Sequence, residues 1–475
     1  MLETFKNLSE DEVYKFSKFV NSPYHSTNKQ IIRLFDYLNS KYPVIKNSDI
    51  SKAAISEFVF PDTNYNDGNV RKLISDFDRV YENFLIQTEL DKETQRSKLL
   101  LLKSLRQRRI TKRYESLFKE VNSFQEKEFS KDTEFYLNQI KLENENYYYN
   151  LDSFKTEYAK CLQSKSDNID FNFIFSKLHT FHEMLNNQNS SNKILPFKKT
   201  FSNEIFDYID KNKSVIISRH PNIYIIYLQI MMFSTLRDEY LKELLNFLKA
   251  NENKFCETNL SYYYNYIVSY YLMKINSGDV KYRNDLFNTY KIMLEKDLFL
   301  IDNIITDMEF NGVVNNVLAL NQYKWVDNFI ETYKYYLEEV SSKDAYNLAK
   351  AKVYFYRKEY SKTFTFLNNV VYKTPQYYMN SKFLLAKVYF ETKDIKEIYY
   401  LKENLKQYLR KKKLLTDEQT LVIKTFIIYI SELVRIHETI SKDKKSLKFV
   451  FKKQLDNEKK FVSNKSWFYE KIEEL

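Results

Sequence analysis

Glycine is almost missing from this chain: Gly68, Gly278 and Gly312 are the only three in 475 residues, where average usage would be about 7%. Phosphate cradles, dinucleotide folds and nucleophile elbows need clustered glycines, because only a residue without Cβ lets the backbone approach a ligand or turn that sharply. None can be assembled here. Cysteine is limited to Cys161 and Cys256, whose spacing suggests neither a metal site nor a disulfide framework. Long apolar runs are missing as well. The stretches "IYIIYLQIMMF" (223–233) and "FIIYI" (426–430) are too short to span a bilayer, and the start, MLETFKNLSEDE, lacks the basic region and apolar run of a secretory signal. A cytoplasmic protein without a membrane span is expected.

Catalytic constellations are equally scarce. The chain has five histidines, two of them in "HTFHE" (179–183). His179 and His182 fall at i, i+3 with Glu183 beside them, but the zinc-protease order H-E-x-x-H is not matched and no third ligand is identifiable. The acids in "LENENYYY", Glu143 and Glu145, read as a helix surface, and no nucleophile stands with its base. The expectation is a non-enzyme with no cofactor and no metal.

Aromatic residues, by contrast, make up 17% of the chain, with 41 Tyr and 37 Phe. At helical spacing they are expected to fill cores. The net charge is +11, and +7 of it falls in residues 402–475, with 18 Lys+Arg against 11 Asp+Glu. Such a basic end suits phosphate, an acidic partner or a membrane surface, or is simply a solvated helical face.

The first ninety residues read as a small helical domain. Ser9 with Glu12 and Thr27 with Gln30 have the spacing of capping boxes, each ahead of an apolar stripe. A short helix near 51–58, the turn chemistry of "FPDTNYNDG" (60–68) and a longer helix suggest a helix-turn-helix, with Arg71, Lys72, Ser75 and Arg79 on its outward face. Asp76, Asp78 and Glu82 on the same helix would repel phosphate. The sharpest basic cluster, "SLRQRRITKRY", holds Arg106, Arg108 and Arg109. Beyond it, helical stripes at 96–110, 112–126, 132–150, 152–164 and 170–186 are followed by more at 201–211, 222–235, 237–250, 260–276 and 282–296. The gaps are short, "SVIISRHPN" around Pro221 and "NSGD" at Gly278 among them, and "NNQNSSNKILP" (186–196) is the best loop.

The segment "AKVYFYRKEY" (351–360) sits 35 residues before "AKVYFETKDI" (386–395), and one period earlier Trp325 stands in the place of Tyr360. Over about 344–410 this resembles tetratricopeptide repeats, helix-turn-helix units about 34 residues long. In that register Ala351 and Ala386 match the small residue that lets paired helices approach, Tyr354 and Tyr389 the aromatic after it, Tyr360 the aromatic opening the second helix, and Pro375 the closing proline. Thr363 and Ile398 depart from a second small residue, and Lys358 and Lys393 stand where the turn glycine usually sits. The N-terminal pattern "SKFVNSPYHSTNKQIIRLFDYL" also resembles the start of uncharacterised helical-repeat proteins of Bacteroidota.

The expected fold is therefore all-α: a small N-terminal helical domain (1–92), a tetratricopeptide-like α-α solenoid (93–415) and basic C-terminal capping helices (416–475). In the last of these, Thr416 and Gln419 can cap an apolar helix. Leu447, Val450, Phe451 and Leu455 form one stripe, Lys448, Lys452, Lys453 and Lys459 point elsewhere, and Trp467 and Phe468 fold back. The resemblance implies that Lys352 and Lys387 face a concave groove with Phe355, Tyr356 and Phe390 near them. Paired ammonium groups there would hold an acidic protein or peptide partner. The alternative is a nucleic-acid-binding regulator using Arg71, Lys72, Arg79, Arg106, Arg108 and Arg109.

Overall fold

In the computed structural model the described residues are 2–152, 158–190, 197–300, 303–372, 374–410, 415–439, 443–458 and 462–475. Among them the chain is helical with no named strand, as expected for an all-α protein. It divides into two compact units, 1–176 and 177–475.

The first unit holds α1 (Glu10–Val20), α2 (Lys29–Lys41), α3 (Lys52–Val59), α4 (Asp67–Lys92), α5 (Thr94–Gln107), α6 (Thr111–Lys127), α7 (Thr133–Asp152) and the start of α8 (Tyr158–Ser190). The Ser9/Glu12 capping box forms, but α2 starts one residue later than expected. Asn28, not Thr27, is its cap, its side chain accepting from the Gln30 amide at 2.9 Å. Helices α1 to α4 share a core of their own, in which Phe16 is fully buried against Phe35, Phe77 and Phe84. A second core forms where α5, α6 and α7 meet, with Tyr114 stacked on Tyr149 at 4.1 Å.

The second unit continues with α9 (Ser202–Lys211), α10 (Lys213–Arg219), α11 (Pro221–Thr235), α12 (Asp238–Asn251), α13 (Glu257–Asn276), α14 (Tyr282–Glu295), α15 (Asp307–Leu318) and α16 (Tyr323–Tyr333). It ends with α17 (Glu339–Tyr356), α18 (Tyr360–Asn368), α19 (Pro375–Glu391), α20 (Ile395–Arg410), α21 (Asp417–Glu438), α22 (Lys444–Asn457) and α23 (Lys465–Glu474). From α11 to α20 each odd-numbered helix packs on the even-numbered helix that follows it. The odd-numbered helices also pack on one another: α11 on α13, α15 on α17, α17 on α19, α19 on α21. That is the connectivity of an α-α solenoid, in which one helix of each pair forms an inner row.

Several boundaries differ from the sequence reading. Residues 153–157 lie outside the described residues, and from Tyr158 on the stripe at 152–164 and the stripe at 170–186 belong to one helix, α8. Its polar middle stays helical because it bonds to itself and its neighbour, with Gln163 donating to Asp167 and Ser164 to Glu143. The expected loop at 186–196 is helical to Ser190, and 191–196 lie outside the described residues. "SVIISRHPN" is mostly helix α10, because Pro221 occupies the first turn of α11, where its missing N–H costs nothing. In α22 only Phe451 and Leu455 of the expected stripe are buried, while Val450 is exposed; Lys459 lies outside the described residues.

The two repeat units share one turn. Lys358 and Lys393 have φ of 62° and 61°, the left-handed region. In each, the amide of the next residue returns to the carbonyl three positions inside the helix end: Glu359 to Tyr354 and Asp394 to Tyr389. This is a Schellman ending built on lysine where glycine is the cheaper residue. Lys358→Gly and Lys393→Gly should each stabilise the unit by about 0.5–1 kcal/mol, read as a higher urea midpoint with unchanged slope; a loss at both positions would contradict the turn assignment.

Candidate functional site

The inner row of the second unit encloses a cavity of about 750 Å³, lined from α13, α15, α17, α19 and the start of α21, with Arg283 of α14 and the loop before α23 completing it. On α19 the lining follows one helical stripe: Gln376, Asn380, Phe383, Leu384 and Lys387. Asn316 and Gln419 add side-chain amides from facing helices, and Glu418 is the carboxylate on the wall. The two lysines of the repeated motif, Lys352 and Lys387, both reach this cavity.

Both are largely buried. Lys352 is 9% exposed and Lys387 5%. Lys387 sits over the Phe355 ring at 4.5 Å, with Tyr356 at 5.8 Å and Trp467 at 5.7 Å, and donates a long hydrogen bond to Asn464 Oδ1 at 3.4 Å. Burial draws its amine down to about 8, Glu470 and Glu391 opposing the shift and Lys471 adding to it. Among the described residues Lys352 has no carboxylate within ion-pair reach and no hydrogen-bond partner. Burial first, and the Lys387 ammonium second, draw it down to about 7. Arg283 is similarly incomplete, its Nε buried without a hydrogen-bond partner.

The neighbouring cations are treated differently. Lys350, two residues from Lys352, is held by Asp327 at 2.9 Å and Glu331 at 3.3 Å. Lys471 on α23 lies among Glu391, Glu470 and Glu474, all within 3.0 Å. Burial works against its charge, yet these carboxylates hold its pKa above the ordinary lysine value. The fold thus places carboxylates against Lys350 and Lys471 and leaves Lys352 facing open space.

Of the expected groove aromatics, Tyr356 lines the cavity and Phe355 carries Lys387. Phe390 does not line it. It is buried against His437 and Trp467, both at 5.6 Å, because α23 folds back onto this end and Trp467 donates to Glu391 at 3.0 Å. Sequence reasoning missed Arg283, Asn464 and the α19 amides; only the polar stripe of α19 could have signalled them.

The basic residues of the first unit are placed otherwise. Arg71, Lys72 and Arg79 are exposed on α4, with Asp67 at 2.6 Å from Arg71 and Asp76 at 3.9 Å from Arg79. Arg108 and Arg109 are exposed after α5. Arg106 is turned inward, to Glu145 at 2.8 Å and over the Tyr148 ring at 5.2 Å. His182 is a packing residue: it stacks on Tyr266 at 4.1 Å, and burial draws it down to about 4, so it is neutral. Among the described residues no group of three or more His, Cys, Asp or Glu is placed to hold a metal, and no helix is long and apolar enough to cross a membrane. No protein-family model, curated protein or solved structure matches the chain, so the site is read from its own geometry.

The folded pKa of Lys352, near 7, lies below its ordinary value of 10.5. Its charge therefore opposes folding by on the order of 4 kcal/mol at pH 7. The penalty is full below pH 7, shrinks as pH rises, and is gone above 10.5. Lys352→Met should accordingly raise the unfolding free energy at pH 7 by roughly 1–4 kcal/mol, with the gain shrinking toward pH 10; no gain at pH 7 would mean that the ammonium is compensated. Arg106→Ala should instead destabilise the first unit by about 2–4 kcal/mol, because it strands Glu145. Arg108→Ala should change stability by less than about 0.5 kcal/mol. Urea denaturation reads all three.

Proposed function

We propose that the second unit is a non-catalytic binding module of tetratricopeptide-like repeats, taking an acidic segment of a protein or peptide partner into its inner cavity. One observation carries the reading: Lys352 is buried without a carboxylate, beside Lys387 and the incompletely bonded Arg283, on the wall of an open cavity. A buried ammonium is normally paired or hydrogen-bonded, because desolvation costs several kcal/mol. An incoming carboxylate supplies the missing partner and restores the charge of both lysines. The amides of Asn316, Gln376 and Asn380 offer neutral donors around it, and the Tyr356 ring offers apolar contact. A cytoplasmic scaffold suits this chemistry.

The test is calorimetric titration of the full chain with a short Asp/Glu-rich peptide. Binding should weaken at least about tenfold in Lys352→Met and in Arg283→Ala, since a charge-assisted hydrogen bond contributes about 1.5–3 kcal/mol. It should also weaken between pH 7 and pH 9, as Lys352 and then Lys387 become neutral in the empty cavity. Binding that both variants retain would refute the cavity as the site. Preferential binding of an RNA oligonucleotide, steeply salt-dependent and indifferent to Lys352, would replace this reading with nucleic-acid recognition.

A further inference from the structure

We propose that Lys352 is a carbonyl-reactive amine and that the cavity around it captures a small 2-oxo acid as an imine. The inference concerns a second class of ligand for the same cavity and does not rest on peptide binding.

A lysine attacks a carbonyl only as the neutral amine, and proteins produce that form by desolvating the side chain or by setting another cation beside it. Lys352 has both. It is nine-tenths buried, Lys387 is the cation acting on it, and no carboxylate among the described residues lies within ion-pair reach. The remaining titratable groups on the wall are Arg283 from α14, Tyr356 from α17 itself and Glu418 from α21. Glu470 and Lys471 of α23 act on Lys387. Asp327 and Glu331 of α16 are engaged by Lys350. Burial and Lys387 together draw the Lys352 amine down to about 7, so a substantial share of it is neutral at physiological pH.

The wall also selects among carbonyl compounds. Arg283 and Lys387 supply positive charge for a carboxylate. A 2-oxo acid carries its carbonyl on the carbon next to that carboxylate, so one small molecule satisfies the cations and presents an electrophile. In the reaction the Nζ lone pair forms a C–N bond to the carbonyl carbon. The carbonyl oxygen then leaves as water with the two amine protons, giving the imine with no change in oxidation state. Lys350 is an internal control, since its carboxylate partners keep it an ammonium.

The experiment is reductive trapping of the full chain with pyruvate and cyanoborohydride, followed by peptide mapping by mass spectrometry. Expected is an adduct at Lys352 that forms at pH 7 at least about tenfold faster than at the median exposed lysine, whose pKa of about 10.4 leaves little free amine. Its rate should rise through a midpoint near pH 7. Lys387→Met should move that midpoint upward, an effect that a change in accessibility alone would not produce. Labelling spread evenly over exposed lysines, or a Lys352 rate at or below that of Lys350, would overturn the proposal. Lys352→Met should lose this adduct and keep the others, and Lys352→Arg is the second variant, keeping a cation without an amine that forms an imine. Because peptide binding is read separately by calorimetry, failure of the trapping experiment leaves that reading standing.

Discussion

Packing of inner helix on inner helix is the constraint on which the second unit depends. Helix α17 packs on α15, α16 and α19 and on its partner α18. Most of its surface is therefore closed, and Ala345, Leu348, Ala349, Ala351 and Val353 are fully buried. Small and branched side chains suit such positions because the backbones must approach closely. The side that remains looks inward. Whatever it carries lines the cavity, and here it carries Lys352 and Tyr356. The same logic places Lys387 on α19, one repeat later.

Electrostatics follow from that geometry. A cation on the side of α17 that faces α16, or on α23, turns to carboxylates, as Lys350 and Lys471 do. The cation on the inner side of α17, Lys352, is largely buried and among the described residues has no carboxylate within reach, so its charge works against the fold. Proteins tolerate such a conflict where the group has another use, since function and stability compete for the same positions. The C-terminal helix sharpens the arrangement. Folding back, α23 sets Trp467 over Lys387 and surrounds Lys471 with carboxylates, closing one end of the cavity while leaving Lys352 open to it.

The first unit shows the opposite use of basic residues. Arg106 joins α5 to α7 through Glu145, and Arg71 and Arg79 lie beside acids on their own helix. Its two cores are built almost wholly of apolar and aromatic side chains, with Phe16 and Tyr114 at their centres.

Local chemistry was legible in the amino-acid order. The capping boxes at Ser9 and Thr416, the all-α class, the 35-residue spacing and the helix start at Tyr360 all follow from short-range patterns, in which caps and periodicity act over a few residues. The turn at Lys358 and Lys393 was legible only as a departure from glycine; its positive φ needed the structure. The motif pointed to Lys352 and Lys387, yet nothing local distinguishes Lys352 from Lys350. One is paired and the other stranded because Asp327 and Glu331 stand on one side of α17 and an open cavity on the other. Likewise Arg283, Asn464 and Trp467 join the site from far along the chain, and Phe390 leaves it, because α23 returns to this end. The sequence by itself determined the all-α class and several local caps and turns, among them the caps at Ser9 and Thr416. Tertiary packing alone decided which charges lose their water, since desolvation depends on neighbours that no local pattern specifies.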